Sequence, residues 1–382
     1  MGEKKSPLGA YLDIPGIIGL ARRRGVTAIH PGYGFLSENA DFARACEENG
    51  ILFVGPSSDV LAKMGDKLSA KEIAIQCGVP IIPGCTEPLK DGDDALEKAL
   101  SFGFPVILKA AAGGGGRGMR RCDRPEEVKT AYELVHSEAE KSFGCGDIFM
   151  EKYLVEPKHI EVQILADRYG NVYHLGERDC SIQRNHQKMI EESPCVAIDD
   201  TLRERMGSAA VRAAKAAHYV NAGTIEFLLE PDGNFYFMEM NTRIQVEHPV
   251  TEWVTGMDLI QEQLRVASGM PLSVTQGEVR LSGHAIECRI NAENPAKNFR
   301  PCPGKITEMH LPGGFGVRVD TAAYDGYVIP AFYDSMLAKL IVHGRTREEA
   351  IARMRSALGE VVIEGVDTNV CLLYTSPSPR DS

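Results

Sequence analysis

Three groups of residues in this chain have the types and spacing for chemistry. Lys109 ends an apolar, β-rich run and is followed by Gly113, Gly114, Gly115, Gly116, Arg117 and Gly118. Successive glycines put no Cβ in the way, so backbone N–H groups can close on an anion while the lysine adds a positive charge. The GxxxxGK[ST] order of a Walker loop is absent, and a strand rather than a helix is expected next, which disfavours a Rossmann fingerprint. A glycine hairpin closing over phosphates is the functional reading; a surface loop is the plain alternative. Lys67, in Met64-Gly65-Asp66-Lys67, is either a second phosphate cation or a solvated helix residue.

The second group lies on an expected hairpin, Thr224–Leu229 and Phe235–Met240 across Pro231-Asp232-Gly233. Strand alternation puts Glu239, Asn241 and Arg243 on one face, and pairing brings Glu226 towards Glu239. Two carboxylates about 4 Å apart repel by roughly 4 kcal/mol at an effective dielectric near 20, a cost a divalent cation removes. Mg²⁺ takes oxygen ligands together with substrate phosphates, and Asn241 adds a neutral oxygen. The alternative is that each glutamate pairs with a nearby Arg or Lys. The third group is His186, Lys188, Arg243, Gln245, Glu247 and His248, a density of polar groups unsuited to a plain core. Arg243 and Lys188 can hold a small oxyanion, and Glu247 can act as a general base if it stays ionised. Arg289 shares a strand face with Glu287, so it is either one half of a structural ion pair or a stabiliser of a developing oxyanion.

These residues must be positioned by an α/β chain (α+β overall). Helix is expected over Ile14–Arg24, a buried strand over Val26–His30, a turn at Pro31–Gly34, helix over Glu38–Asn49 and strand over Ile51–Val54. Two helical stretches meeting at Lys71 lead to a region of strands Pro105–Ala110, Met119 onward and Asp147–Tyr153, with helices Asp93–Phe102 and Pro125–Lys141. Beyond it, Ile160–Ala166 and Val172–Leu175 read as alternating strands, Thr201–Val220 as a helix, and Gly283–Asn291 and Leu337–Val342 as strands. A Thr346…Glu349 capping box opens a helix to Leu358.

The net charge of −11 argues against nucleic acid and anionic membrane as partners. No apolar run is long enough to span a bilayer, and the 10 scattered cysteines form no CxxC pair, as for reduced thiols in a cytoplasmic protein. Residues 371–382, with Ser-Pro repeats, resemble a translated adapter and are expected to be an artefactual tail that continues no element.

Taken with His30-Pro31-Gly32-Tyr33-Gly34-Phe35-Leu36-Ser37-Glu38-Asn39, Glu177-Arg178-Asp179-Cys180-Ser181 and the run from Glu239 to Glu252, the chain resembles biotin carboxylase, the ATP-grasp component of biotin-dependent carboxylases, from about Tyr11 to Asn369. The resemblance implies an ATP-grasp fold with a partial Rossmann-like N-terminal domain (1–55), a helical linker (56–80), a lid with the glycine hairpin (81–153), a subdomain with the metal and bicarbonate sites (154–275) and an antiparallel-sheet domain (276–370). It implies attack of bicarbonate on the γ-phosphate of Mg-ATP, then carboxyl transfer to biotin on a separate carrier protein. Lys67, Lys109, Gly115 and Gly116 would bind phosphates; Glu151, Lys152 and Leu154 would line the adenine pocket, with His159, Gln183 and His186 around the nucleoside. Glu226, Glu239 and Asn241 would hold Mg²⁺ or Mn²⁺, and Lys188, Arg243, Gln245 and Val246 bicarbonate. Glu247 would be the base, Arg289 would stabilise the biotin enolate, and Tyr33 would lie near the biotin ring. Implied partners are the biotin carboxyl carrier protein and a carboxyltransferase, with a homodimer for a full-length member. The Glu-Met-Asn-Thr-Arg run is most like acetyl-CoA carboxylase subunits of fatty acid synthesis; pyruvate, propionyl-CoA or methylcrotonyl-CoA carboxylases, another ATP-grasp ligase and a non-catalytic nucleotide-binding module are the alternatives. Relative to the family pattern a leading strand–helix–strand unit and the final helices are expected to be missing, leaving open sheet edges.

Overall fold

The computed structural model describes residues 5–85, 87–110, 119–143, 146–185 and 187–375. The chain divides into two compact units. One comprises Met1–Val79, Lys158–Phe227 and Glu239–Ser382; the other comprises Pro80–Pro157 and Leu228–Met238.

The first unit opens with helices α1 (Pro7–Tyr11) and α2 (Ile14–Arg23), strand β1 (Ala28–Ile29), α3 (Ala40–Glu48), β2 (Leu52–Phe53), α4 (Ser58–Gly65) and α5 (Lys67–Gln76). Asn39 caps α3, its Oδ1 accepting the Phe42 N–H at 2.8 Å. The strands pair in parallel, Ala28 opposite Leu52. The expected buried strand Val26–His30 is therefore only two residues long, and Ala28 is exposed, because β2 is its only ladder partner among the described residues. The break between the next two helices falls at Asp66, not Lys71: the Asp66 carboxylate accepts the Ser69 N–H at 2.9 Å and starts a new helix.

In the second unit, helix α6 (Gly92–Phe102) precedes β3 (Val106–Ala110) and β4 (Met119–Cys122), and helix α7 (Pro125–Phe143) precedes β5 (Ile148–Lys152). The strands form an antiparallel sheet in the order β4-β3-β5. Val106, Leu108 and Ala110 bury one face against α6 and α7, so the period of two turns Lys109 to the other face.

The rest of the first unit is built on a large sheet. Its strands are β6 (Lys158–Ala166), β7 (Val172–Arg184), β8 (Gln187–Ser193), β9 (Asn221–Leu229), β10 (Phe235–Asn241), β11 (His284–Asn291) and the strands Val317–Thr321 and Met336–Gly344. The order is β10-β9-β6-β7-β8-β11, then Met336–Gly344, then Val317–Thr321. Helices α8 (Asp200–Ala216), α9 (His248–Thr255), α10 (Leu259–Ala267) and α11 (Arg347–Glu360) pack on it.

Several expectations are corrected here. The strand Ile160–Ala166 is not half-buried in alternation; every residue is buried, with Leu165 in the core beneath α10 and α8 packed against β6. Strand β7 does not end at Leu175 but runs on to Arg184, and α8 stops at Ala216 rather than Val220. The capping box at α11 is half formed. Thr346 Oγ1 accepts the Glu349 N–H at 3.3 Å, but Glu349 Oε2 accepts from the Arg345 N–H instead. The chain also does not lose structure at Cys371: Val370–Thr375 is helical, and Leu373 is buried against the α11 core. Among the described residues no helix is long and apolar enough to cross a membrane.

Candidate active site

The site rests on a buried polar layer. Arg178 of β7 is fully buried and spends its fork on four partners: Glu161 Oε2 at 3.0 and 3.2 Å, Gln163 Oε1 at 2.7 Å, Thr251 Oγ1 at 3.0 Å and Thr224 Oγ1 at 3.1 Å. The polar positions of β6 thus sit inside the molecule because the next strand supplies a cation with matching geometry.

Above this layer lies Lys188. The register of β7 against β8 passes from Ile182 opposite Ile190 to Gln183 opposite Lys188, so Met189 is an extra residue on β8. A bulge of this kind rotates the strand beyond it and re-aims a side chain. Met189 and Ile190 both enter the core beneath α11, while Lys188 and Glu191 meet the same polar cluster. Lys188 Nζ contacts Glu247 Oε1 at 2.9 Å, Glu226 Oε1 at 3.1 Å and the Glu161 carboxylate. Glu247 is the residue before α9, yet its carboxylate makes no helix cap; its other oxygen receives Arg289 Nη2 at 2.8 Å. Arg289 Nε donates to Glu191 Oε1 at 2.6 Å. The ion pair of Arg289 with Glu287, one of the two alternatives the sequence left open, is not found, because Glu191 and Glu247 take the guanidinium.

Burial pushes the Glu247 carboxyl up, but Lys188, Arg289 and Arg178 outweigh it and hold the group below the ordinary range, so it is ionised. Burial likewise lowers Lys188 and Arg289, yet the facing carboxylates win and both are driven up. His248, beside Glu247, is pushed down to about 3, first by burial and then by Lys339, and is neutral.

Arg243 is gripped from several sides. Nε donates to Glu38 Oε2 at 2.8 Å, Nη1 to Gln245 Oε1 at 2.8 Å and Nη2 to Asn241 Oδ1 at 3.1 Å. Glu38 also accepts from Thr242 N at 2.9 Å. Tyr33 stands on the turn after β1, where Gly32 takes φ +68 and donates its N–H to His30 Nδ1 at 3.0 Å. Tyr33, Lys188, Arg243, Gln245, Glu247 and Arg289 all line one cavity of about 750 Å³, which Val246 also borders. Of the third expected group the structure thus brings Lys188, Arg243, Gln245 and Glu247 together; His248 does not line the cavity, its Nδ1 facing the Gln245 carbonyl at 2.7 Å, and His186 lies outside the described residues.

Of the expected metal ligands, Glu226 and Asn241 meet, Asn241 Nδ2 donating to Glu226 Oε1 at 2.7 Å; Glu239 lies two residues before Asn241 on β10. Glu226 also receives Gln245 Nε2 at 3.1 Å and faces His159 Nε2 at 2.7 Å. Gln183 Nε2 lies 3.1 Å from the other ring nitrogen of His159. Burial raises Glu226, but His159 and Lys188 bring it below the ordinary range. His159, Glu161 and Glu226 lie close enough for one ion, and the carboxylate oxygens of the two glutamates suit Mg²⁺ or Mn²⁺. Sequence reasoning left out Glu161, Glu191 and the grip of Glu38 on Arg243; the position of Glu38 in the quoted run from His30 to Asn39 was the only available signal.

In the second unit Lys109 Nζ pairs with Glu151 Oε2 at 2.5 Å across β3 and β5. Lys152 Nζ pairs with Glu230 Oε2 at 3.0 Å, and Leu154 is buried. Lys67 is the first residue of α5, and Gly115 and Gly116 lie outside the described residues.

Comparison with known proteins covers nearly the whole chain. Residues 2–61 match the family described as "Biotin carboxylase, N-terminal domain", residues 66–275 "Carbamoyl-phosphate synthase L chain, ATP binding domain" and residues 287–376 "Biotin carboxylase C-terminal domain". The chain is 56% identical to Biotin carboxylase 1 of Bacillus subtilis, over 96% of this chain and 82% of that one. The crystal structure of the biotin carboxylase component of a pyruvate carboxylase matches at a TM-score of 0.89 and 52% identity, covering 97% of this chain and 82% of that one. The biotin carboxylase domain dimer of the Hydrogenobacter thermophilus 2-oxoglutarate carboxylase, solved with MgADP, ADP and bicarbonate, matches at a TM-score of 0.84 and 52% identity, again covering 97% of this chain and 82% of that one. An ATP-grasp architecture, a basic cavity beside a cluster of metal-suited carboxylates and identities above one half along nearly the full length lead to one conclusion: the chain belongs to the biotin carboxylase family, ligases that carboxylate biotin with bicarbonate and MgATP.

Proposed function

We propose that this chain performs the first half-reaction of a biotin-dependent carboxylase on biotin borne by a separate carrier protein, with the cavity at Tyr33, Lys188, Arg243, Glu247 and Arg289 as the acceptor site. The observation that carries the assignment is that Glu247 is clasped between Lys188 and Arg289 on the wall of that cavity. Lys188, Arg243, Gln245 and the Val246 backbone bind bicarbonate as an anion. When the anion enters, Lys188 and Arg289 turn part of their charge towards it. Glu247 loses that stabilisation, becomes more basic and takes the bicarbonate proton. The freed oxygen attacks the γ-phosphate, giving carboxyphosphate and ADP. Carboxyphosphate then breaks its C–O bond to the phosphorus-bearing oxygen, the released phosphate takes the ureido N–H proton of biotin, and the nitrogen bonds to the freed carboxyl carbon while Arg289 faces the ureido oxygen that gains charge.

Glu226, Glu239 and Asn241 would hold the divalent ion, which when bound neutralises phosphate charge. Lys67, Lys109, Gly115 and Gly116 bind phosphates, Glu151, Lys152 and Leu154 the adenine, and His159, Gln183 and His186 the nucleoside. The carrier, a carboxyltransferase and a second copy of the chain are the partners, and the cytoplasm is the place of action. An acetyl-CoA carboxylase is the reading for the whole enzyme. The similarity to the biotin carboxylase component of a pyruvate carboxylase favours a second reading, in which a keto acid is the final acceptor.

The test is ADP release dependent on both bicarbonate and free biotin. Release that ignores biotin refutes the acceptor-site assignment.

A further inference from the structure

Behind the Lys188–Glu247–Arg289 clasp lies a carboxyl without a partner. Glu287, in the middle of β11, is fully buried, and neither of its oxygens makes a hydrogen bond among the described residues. It stands opposite Glu191 on β8 and Ile341 on the strand Met336–Gly344. Glu191 is also fully buried. Its Oε1 receives Arg289, while its Oε2 has no hydrogen-bond partner.

The nearby cations are already committed. Arg289 is held by Glu191 and Glu247. Lys339, from the neighbouring strand, donates to the Val246 carbonyl at 2.9 Å and pairs with Asp320 at 3.2 Å. Arg178 on β7 is bound to Glu161. From the start of α9 come the anion Glu247 and the neutral His248. An ionised Glu287 would be a buried charge facing a second carboxylate with no counter-ion to itself, an arrangement that neutralises one of the two acids.

We propose that Glu287 is a neutral carboxylic acid whose O–H is shared with Oε2 of Glu191, and that this buried acid pair is a positioning device holding Glu191 against Arg289. The shared proton gives each carboxyl group a hydrogen bond and leaves the acid pair one negative charge, so that the pair and Glu247 face two cations, Arg289 and Lys188. Burial, followed by the Glu191 charge, pushes the Glu287 carboxyl well above its ordinary value, in agreement with the geometry. The protonation of Glu287 stands independently of any catalytic assignment; its positioning role rests on the placement of Arg289 in the acceptor site.

The test compares the full chain with Glu287→Gln in urea unfolding from about pH 5 to about pH 8. A folded-state value raised above the unfolded one makes the native protein hold a proton that the unfolded chain releases. The contribution is present below the unfolded glutamate value of 4.5 and is lost as pH rises towards the native value. The unfolding constant of the native sequence therefore grows relative to the variant by about tenfold per pH unit across that window. A gap independent of pH overturns the proposal.

Infrared spectra of the unsubstituted protein carrying labelled glutamate need no variant to fold. A protonated-acid carbonyl band persisting near neutral pH is expected, and its absence overturns the proposal. For the positioning role, Glu287→Gln keeps a donor towards Glu191 and should turn over about tenfold faster than Glu287→Leu, with the same KM for ATP in both. Equal turnover in the two variants refutes that role.

Discussion

Replacing Glu247 by glutamine probes the centre of the proposed mechanism with almost no change of shape. The native carboxylate receives one nitrogen on each oxygen, Lys188 at 2.9 Å and Arg289 at 2.8 Å. Each contact represents roughly 6 kcal/mol of attraction at an effective dielectric near 20, offset by the cost of bringing the three charges out of water. The amide keeps one acceptor oxygen but presents an NH₂ to the other cation and cannot take a proton from bicarbonate. Loss of a general base costs about 10²- to 10⁴-fold in rate, or about 3–5 kcal/mol of barrier. Biotin-dependent ADP release should fall by that factor while the KM for ATP stays within about threefold of normal.

A second signature comes from linkage. The folded-state value of Glu247 is depressed, so its contribution to stability is present above the ordinary glutamate range and is lost as pH falls through the lowered native value. The stability gap between the native sequence and Glu247→Gln should therefore be full at neutral pH and close on acidification. Turnover within about tenfold of the native rate would refute Glu247 as the base.

Three further outcomes follow from the same geometry. Glu239→Ala should raise the Mg²⁺ concentration for half-maximal turnover by about tenfold or more, and an unchanged Mg²⁺ titration removes Glu239 from the ligand set. Arg178→Ala leaves the buried Glu161 carboxylate without its guanidinium and should cost about 3–5 kcal/mol in urea unfolding; a loss below about 1 kcal/mol contradicts the account of the polar layer. Glu38→Gln loosens the grip on Arg243 across 205 positions of sequence and should raise the KM for bicarbonate several-fold without moving that for ATP; equal changes in both would mean a general loss of fold.

Much of the acceptor site was legible because its residues stand close together in the chain, from Arg243 to His248, and because a strand followed by a helix start crowds them at one place. The second half of the clasp was legible only in part. Arg289 was identified, but the alternative weighed for it was an ion pair with Glu287, since a same-face neighbour on one strand is visible in a sequence and a cross-strand neighbour such as Glu191 is not. Glu161 read as the polar half of an alternating strand. Nothing local indicates that Arg178, on another strand, turns that polar half into buried structure. The helices α9 and α10 went unmarked, and the short two-stranded ladder at Ala28 was overestimated from its apolar composition alone.

The extra residue at Met189 has a consequence for how this site tolerates genetic change. Side chains there can be exchanged for others of similar bulk, since they fill apolar space. Losing the codon is different. A strand one residue shorter would pair with β7 in regular pleating, with Lys188 still opposite Gln183 and still on the face of Glu191, but with one apolar side chain fewer beneath α11 and without the local twist of the bulge. Loss of this residue would thus be felt in the core before it is felt among the carboxylates.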